Sequence, residues 1–434
     1  MGKSTTILRG GRVVELDPIR VEERDLVLRN AQIIDASTAP EGARVLDVSG
    51  QLVFPGLVLA HTHLYSALAR GMPGPTGPTP GFRQILEEVW WKLDVALDEQ
   101  SLAASAEIGA MEALEAGVTT LIDHHESPRF IHGSLDVIAE ATERVGLRSV
   151  LTYGATDRHG PEGARAGLEE SVRFADKTRG HHLSRGMIGL HAPFTCSDET
   201  LRSASLLAQA RGLGVHLHAS EGPDDQEAAK ARFGSRLMPA LDRLGLLGEK
   251  SILAHAVNLD EVEAELLRVR GPFITHQPRS NMNNGVGYAS WLPTLDRVAL
   301  GTDGIDADVL GELKAAFFRR REHTGPTVWP DAIAYLVNGH RLAQQIFGIP
   351  IGKLVPGAPA DVITIDYDPP TPLNSSTLAS HLLFGGLSRA RVRHSFVAGH
   401  HVLHDFEIVG VDPELAAARA RSEAQRLWHK MSTA

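Results

Sequence analysis

The chain has 434 residues, of which 43% are hydrophobic, and it carries a formal net charge of −10. A chain of this length can bury a large core and suggests two or three domains, or one large barrel with an accessory domain. The acidic balance argues against nucleic-acid or anionic-membrane binding, and no apolar run approaches the roughly 18 residues of a transmembrane helix. The single cysteine, Cys196, excludes an intramolecular disulfide. We therefore predict a cytoplasmic protein that acts on a small molecule.

The first part of the chain alternates apolar and polar residues in short runs. The segments "TTILRGGRVVELD", "DLVLRNAQIIDAS" and "ARVLDVSGQLVF", within residues 5–53, have the period of two that is typical of strands with one buried face. The same alternation of apolar and polar residues returns after residue 353 in "GAPADVITIDYD" and "RVRHSFVAGHHVLHD". Because neither segment alone could bury its apolar face, we predict that residues 1–56 and 354–409 form one composite β-sandwich domain.

A buried strand that ends in two histidines opens the central part of the chain. The apolar run Leu57 to Ala60 is followed directly by His61 and His63. Residues i and i+2 of a strand point to the same side, so the two imidazoles can converge on one point, where a metal ion could bind. The Gly/Pro-rich segment that follows, residues 71–81, is as typical of an irregular connection as of a lid.

Seven further apolar runs follow, separated by Ala/Leu/Glu-rich stretches with helical character, such as residues 102–115 and 223–244. Eight parallel strand–helix units of this kind close into a barrel, and we predict a (β/α)8 TIM barrel over residues 57–353, which makes the fold class α/β. The seven runs are "VTTLIDHH", "RSVLTYGATD", "MIGLHAPFTCS", "GVHLHASEG", "SILAHAVNL", "PFITHQPRSN" and "RVALGTDG". Residues 410–434 are predicted to form a C-terminal surface helix.

Polar residues gather where the predicted barrel strands end. Active sites of barrels lie at the C-terminal ends of their strands. A structural role is the better expectation for any one histidine, but the repetition at strand ends favours a site. Neutral imidazoles with one carboxylate suit Zn²⁺, or Fe²⁺, in a site that keeps a position open for water. These strand-end residues are His61, His63, His216, His218, Glu221, His255 and Asp303.

The motifs resemble those of the amidohydrolase superfamily over almost the whole chain, from "DVSGQLVFPGLVLAHTH" through "HLHASEG", "ILAHAVNL" and "LGTDG" to "GKLVPGAPADVITID". The His-x-His-x-x-Glu form at residues 216–221 is similar to that of the nucleobase and triazine deaminase branch. Within this branch, "LARGMPG", "VWWKLD", "LIDHHESP" and "SNMNNGVG" resemble the SsnA type of aminohydrolase. Binuclear members bridge two metals with a carboxylated lysine on the fourth strand. Since "GMIGLHAPF" has no lysine, we predict one divalent metal per chain.

The resemblance implies that His61, His63, His218 and Asp303 bind this metal and that Glu221 and His255 act on the substrate. A divalent metal lowers the pKa of its bound water from about 15.7 toward about 7. Asp303 can accept the proton of that water, and Glu221 can pass it to a ring nitrogen. His255 can polarise the carbon under attack or stabilise the developing oxyanion.

Substrate contacts are less sharply predicted. His191 matches a substrate-contacting position in related deaminases, and Trp90 or Trp91 could either stack on a planar heterocycle or belong to the core. For His124 and His125, a pocket-lining role and a capping or supporting role are equally expected, whereas His216 is expected to pack in the barrel or to support a ligand. The pairs His181-His182 and His400-His401 are expected in surface loops. The predicted substrate-binding residues are His191, Trp90, Trp91, His124, Arg279 and Asn281.

The predicted reaction is hydrolytic deamination of a heterocyclic amine: a metal-bound hydroxide adds to an amidine-like carbon, and ammonia leaves. The same residues would serve ring opening of a cyclic amide, or displacement of chloride or a thioether. A barrel that has lost catalysis and serves as an interaction protein is a distant alternative. Substrate identity, leaving group, metal identity and a possible homo-oligomer are left open by the sequence.

Overall fold

The computed structural model describes residues 5–74, 77 and 81–433. Its strands are β1 (Thr5–Arg9), β2 (Arg12–Leu16), β3 (Ile19–Glu23), β4 (Leu26–Arg29), β5 (Gln32–Ile34), β6 (Arg44–Asp47), β7 (Leu52–Pro55), β8 (Leu57–Thr62), β9 (Val118–His125), β10 (Arg148–Tyr153), β11 (Ser184–Gly186), β12 (Ile188–Gly189), β13 (Val215–Ala219), β14 (Ile252–His255), β15 (Phe273–His276), β16 (Val298–Leu300), β17 (Val362–Ile365), β18 (Val392–Val397), β19 (His400–His404) and β20 (Glu407–Ile408).

The helices lie mainly between the barrel strands. They are α1 (Phe82–Ile85), α2 (Trp91–Ala96), α3 (Glu99–Glu115), α4 (Ser134–Val145), α5 (Pro161–Lys177), α6 (Asp198–Arg211), α7 (Pro223–Phe233), α8 (Leu237–Arg243), α9 (Glu261–Arg270), α10 (Pro278–Asn283), α11 (Val309–Thr324), α12 (Ile333–Phe347), α13 (Leu378–Leu383) and α14 (Pro413–Thr433). Among these described helices, none is both long enough and apolar enough to cross a bilayer.

Both ends of the chain contribute strands to one sheet. The order of this sheet is β20-β19-β18-β17-β7-β2-β3, and β7 pairs antiparallel with β17, so that Phe54 lies opposite Ile363. A second sheet, in the order β5-β4-β1-β6, packs on it through an apolar cluster that includes Leu8, Val13 and Phe396. The predicted composite β-sandwich is therefore confirmed, while the exact domain boundaries stay predictions. His400-His401, predicted in a surface loop, instead begins β19.

Eight parallel strand positions form the barrel, as predicted. The fourth position is split into β11 and β12, and the ring is completed by the bridges Ala155–Leu190 and Thr62–Asp303. Alternate strand residues face opposite sides: Ile122 belongs to an inner cluster, and its neighbour Leu121 packs in the larger cluster that includes the helices. The fourth run, predicted as a strand as far as Ser197, leaves β structure after Gly189, and Pro193–Thr195 forms a 3₁₀ turn.

One helical prediction differs from the structure. The stretch 223–244 forms two helices, α7 and α8. The first helix is capped at its C-terminal end by Gly234, whose φ of 64° is in the left-handed region that glycine adopts readily. The C-terminal helix α14 packs against α3, and Trp428 Nε1 donates to the Leu68 carbonyl at 2.8 Å. The loop 71–81, for which the sequence favours neither a lid nor an irregular connection, lies partly outside the described residues.

Candidate active site

Three imidazoles and one carboxylate meet at the C-terminal mouth of the barrel. His61 and His63 come from the end of β8, His218 from β13, and Asp303 follows β16. One ligand atom of each lies within 4.8 Å of those of the other three. His63 Nε2 is 2.9 Å from Asp303 Oδ1 and 3.3 Å from His218 Nε2. The sequence-predicted ligand set is thus brought together in space.

Each of the three imidazoles is held through its Nδ1 atom. His61 Nδ1 is 2.9 Å from His216 Nε2, and His63 Nδ1 is 2.6 Å from the His124 carbonyl. His218 Nδ1 lies 2.9 Å from the His191 carbonyl. Such contacts fix the ring orientation and direct Nε2 toward the point where the ligand atoms meet.

The donor set fits a divalent metal. His61 Nε2 is buried and has no hydrogen-bond partner in the described structure, which a protein rarely tolerates unless another ligand completes the site. Burial lowers the pKa of His61 and His218 well below the usual 6.5, so both rings are neutral. Although burial raises the pKa of Asp303, its hydrogen bond with His63 and its electrostatic interactions with His255, His63 and His218 together hold that pKa far below the usual value. Although burial lowers the pKa of His63, its contact with Asp303 raises it, so His63 must release its proton when a metal binds. Neutral imidazoles and an ionised carboxylate are the ligands that Zn²⁺ prefers.

Glu221 and His255 extend this cluster toward the cavity. His255 Nε2 lies 3.3 Å from Glu221 Oε2 and 3.9 Å from Asp303 Oδ2, and His255 Nδ1 is 2.9 Å from Asn281 Oδ1. Burial, and then the charge of Asp303, raise the pKa of Glu221 well above its usual 4.5. A protonated carboxyl group therefore stands beside an ionised one. Asn284 Nδ2 donates to Glu221 Oε1 at 3.2 Å.

The backbone at these strand ends is unusual. His255 and Asp303 have φ values of 77° and 59°, in the left-handed region that non-glycine residues seldom adopt. Residues in such conformations persist where the surrounding structure holds them, and they cluster at functional sites. Here the backbone N–H of Asp303 donates to the His61 carbonyl at 3.3 Å, which fixes the carboxylate beside the first strand.

The predicted substrate-binding residues divide into two groups. His191, Trp90 and Trp91 line the cavity above the histidines. His124, Arg279 and Asn281 are not in its described wall: His124 lies behind the ligands, with Nε2 2.9 Å from the Leu190 carbonyl, and Asn281 holds His255. The Arg279 guanidinium forms ion pairs with Glu312 at 2.7 Å and with Asp306 at 2.5 Å. Supporting roles suit these three residues better than direct substrate contact.

Sequence reasoning missed an acidic part of the wall. Glu126 and Asp94 line the cavity and share Arg158, whose Nη2 is 2.9 Å from Asp94 Oδ2. Arg158 also stacks over Trp91, with 4.7 Å between the guanidinium carbon and the ring centre. Glu126 directly follows His125 at the end of β9, so the strand-end rule applied to the histidines could have found it. Asp94 comes from α2, and no local signal marks it.

The chain is similar to known proteins over most of its length. The model of the "Amidohydrolase family" matches residues 52–402. The chain is 31% identical to a 5'-deoxyadenosine deaminase of Methanopyrus kandleri, over 87% of this chain and 86% of the relative. It is also 31% identical to a 5-methylthioadenosine/S-adenosylhomocysteine deaminase of Haloarcula marismortui, over 98% of both chains.

Solved structures have the same fold. An adenosine deaminase from Xanthomonas campestris with bound zinc has a TM-score of 0.86 and 24% identity over 98% of both chains. The zinc complex of the atrazine chlorohydrolase TrzN from Arthrobacter aurescens has a TM-score of 0.81 and 22% identity, covering 96% of this chain and 100% of the other. The narrower resemblance to the SsnA type stays a prediction. With most of its length matched by the family model and by these relatives, the chain belongs to the amidohydrolase family.

Proposed function

We propose that this amidohydrolase removes the exocyclic amino group of an adenine-like ring, in a nucleoside-like compound, by metal-dependent hydrolysis. The observation that carries the proposal is the cluster of Glu221, His255 and Asp303 beside three imidazole Nε2 atoms at the floor of a cavity. The sequence relatives described above are named as deaminases of adenosine derivatives, which supports ammonia as the leaving group.

The proposed metal ligands are His61, His63, His218 and Asp303, holding one divalent ion per chain, with Zn²⁺ as the proposed ion. When bound, such an ion activates water for attack at neutral pH. The first strand supplies two of the ligands, and the fifth and eighth positions supply the others, so the barrel itself sets their spacing. The fourth barrel strand offers no lysine for a bridged second ion at this site.

The protein's own groups then handle protons and orientation. Asp303 is ionised and accepts the proton of the attacking water, with Ser280 Oγ holding its Oδ2 at 2.5 Å. Glu221 is protonated and gives its proton to the ring nitrogen next to the carbon under attack. The proton held by Asp303 then passes to the leaving amino group, and the hydroxyl proton of the tetrahedral adduct returns to Glu221, so that ammonia and a ring carbonyl are formed. His255, fixed by Asn281, faces the same point and stabilises the negative charge that develops there. Trp90 or Trp91 supplies an apolar face for a planar ring.

Product analysis tests the proposal. Zinc-loaded protein is assayed for ammonia and for ring-opened products with adenosine, 5'-deoxyadenosine, 5'-methylthioadenosine, and a panel of other purines, pyrimidines, pterins, triazines and cyclic ureides. We expect ammonia and the oxo product in equal amounts. We expect a high kcat/KM only for 6-aminopurine compounds. Ring-opened product or chloride release without ammonia would instead establish one of the other leaving groups. Absence of all turnover in fully loaded protein would contradict the proposed function.

A further inference from the structure

Asp225 is a second buried carboxyl group next to Glu221. It lies in the first turn of α7, it is only 3% exposed, and it lines the same cavity as Glu221 and His255. Carboxyl groups are rarely buried to this degree unless partners compensate for the lost hydration. None of the proton transfers proposed above uses Asp225, so its burial in the cavity wall has to have another cause.

The Asp225 side chain holds the backbone of Glu221. The backbone N–H of Glu221 donates to Asp225 Oδ2 at 3.1 Å. In a capping box, the side chain at the third helical position accepts the N–H of the N-cap residue. In α7 the N-cap residue is Gly222, and Asp225, at the third position, binds the N–H one residue further back. The start of the helix is therefore fastened to the residue that carries the proposed proton donor.

Glu221 lies in a turn that has no regular structure to fix it. Strand β13 ends at Ala219, and α7 begins at Pro223. Ser220, which precedes Glu221, has a φ of 54°, in the left-handed region that non-glycine residues seldom adopt. A backbone of this kind keeps its conformation only where the surrounding groups hold it.

Three side chains hold Glu221 at three different points. Asp225 accepts its N–H, Asn258 Nδ2 donates to its carbonyl at 2.6 Å, and Asn284 Nδ2 donates to its Oε1 at 3.2 Å. A proton donor works only within hydrogen-bond reach of the atom that it protonates, and a misplacement of about 1 Å can cost about 100-fold in rate. The position of the Glu221 carboxyl group, and with it the rate, therefore depends on these contacts.

The carboxyl group of Asp225 is unfavourable for folding alone. Its Oδ1 atom is buried and has no hydrogen-bond partner among the described residues. Burial raises the pKa of Asp225 to about 7, although the hydrogen bond from the Glu221 N–H opposes this shift. Buried groups with an unsatisfied atom and a shifted pKa are typical of functional sites. These properties favour a role in the active site over a role in the fold alone.

We propose that Asp225 is a positioning residue, which fixes the backbone of Glu221 so that the Glu221 carboxyl group reaches the ring nitrogen of the substrate. This role rests on the proposed function, in which Glu221 is the proton donor. Asp225 acts only through Glu221 and transfers no proton itself. Loss of its hydrogen bond should lower kcat, because the donor is misplaced in the transition state, and should change KM little.

A double-mutant cycle in zinc-loaded protein tests whether Asp225 acts through Glu221. We expect Asp225→Ala to lower kcat by about 10- to 100-fold with unchanged zinc content. Asp225→Asn, whose side-chain oxygen can accept the same N–H, should recover most of the rate. In the Glu221→Gln background, Asp225→Ala should cause little further loss, because the donor is already absent. Losses that multiply in the double variant, or an Asp225→Asn variant as slow as Asp225→Ala, would overturn the proposal.

Hydrogen exchange measured by mass spectrometry tests the contact without turnover. In peptides that cover residues 219–224, the Glu221 amide should exchange faster in Asp225→Ala than in the parent protein, and Asp225→Asn should keep the protection. Equal exchange in all three proteins would overturn the proposal. If the zinc-loaded parent protein shows no turnover, the proposed function fails, and the exchange result still decides whether Asp225 holds Glu221.

Asp224→Ala is the matched control. Asp224 lies in the same turn of α7 but outside the described wall of the active-site cavity, so this variant should keep the turnover, zinc content and amide exchange of the parent protein. A loss of kcat in Asp224→Ala equal to that in Asp225→Ala would overturn the specific role of Asp225. If Asp225→Ala does not fold, Asp225→Leu, which fills a similar volume with an apolar group, takes its place in both experiments.

Discussion

Glu221 and Asp303 are two carboxyl groups in one site whose pKa values are shifted in opposite directions. Burial raises the pKa of Glu221, while contact with His63 keeps Asp303 ionised. Pairs of carboxyl groups whose environments push their pKa values apart are typical of acid–base catalysis. A cap on the following helix would be a purely structural role for Glu221. The Glu221 side chain does not cap α7, whose N-cap position is Gly222.

The first prediction concerns Glu221→Gln. This change keeps the shape of the side chain and its contact with Asn284 but removes the transferable proton. We expect turnover to fall by about 100-fold or more, the scale of general acid–base catalysis, with unchanged metal content. Steady-state kinetics and elemental analysis check this. Glu261→Gln, on the exposed side of α9, is the matched control and should retain full activity. A variant at Glu221 that keeps its rate and loses only thermal stability would remove this residue from the mechanism.

The second prediction concerns His216, which is not among the described residues of the cavity wall and positions His61 through a 2.9 Å contact. His216→Ala leaves the buried Nδ1 of His61 without this partner. We expect the metal affinity to fall by about 10- to 100-fold, the usual effect of losing such a support. Competition with a chromophoric chelator measures the dissociation constant. His216→Gln, which can place an amide group near the position of Nε2, should recover part of the loss. Equal affinities in parent and His216→Ala protein would show that His61 needs no support.

At the scale of elements, Asp98 joins the start of α3 to the C-terminal helix. It caps α3 through the Ser101 N–H at 3.0 Å, and it pairs with Arg426 and Lys430 of α14. The hydrogen bond from Arg426 is the main cause that lowers the pKa of Asp98. The stabilisation is therefore present above the usual aspartate pKa of about 4, and it is lost as the pH falls toward the lower folded-state value.

The third prediction follows from this pair. Asp98→Asn keeps a good N-cap and removes the charge, so we expect a loss of up to about 1 kcal/mol in the free energy of unfolding at pH 7, since the pair is partly exposed. Asp98→Ala removes the cap as well and should cost about 1 kcal/mol more. Urea unfolding at pH 7 and at pH 3 measures both. The difference between the parent protein and Asp98→Asn should narrow at pH 3, and a difference that widens there would contradict the assignment.

Elements with a strong local pattern were predictable, and elements placed by distant contacts were not. Every barrel strand has an apolar run, so all eight strand positions were predictable from the sequence. The histidines that end several of these strands were predictable as well. The predicted fourth strand was too long. Its apolar residues continue through Phe194, but the backbone turns at Pro193. Arg279 was assigned to the substrate because it follows a barrel strand, yet its partner Glu312 comes from α11, a contact that no local pattern reveals. Asp94 was missed for the same reason.

At the scale of the whole molecule, the proposed ligands tie together strands that lie far apart in the sequence. The fourth prediction is that removing the metal lowers the thermal stability of the entire barrel. An ion present at about 1,000 times its dissociation constant stabilises the folded state by about 4 kcal/mol. Scanning calorimetry with and without a strong chelator measures the change in Tm, which added Zn²⁺ should reverse. An unchanged Tm in protein shown to be metal-free would contradict the proposed site.

The bridge between Thr62 and Asp303 has a consequence for how the protein is made in the cell. These two residues are 241 positions apart, so a ribosome synthesises the first strand long before the last. The nascent chain then contains His61 and His63, but it lacks the carboxylate of Asp303 until the eighth strand has been synthesised. The β-sandwich is completed later still, because β7 can pair with β17 only after the complete barrel has been translated. On the proposed ligand set, a complete metal site can therefore form only after residue 303 has been synthesised, and a chain truncated before that residue would leave the ribosome without one.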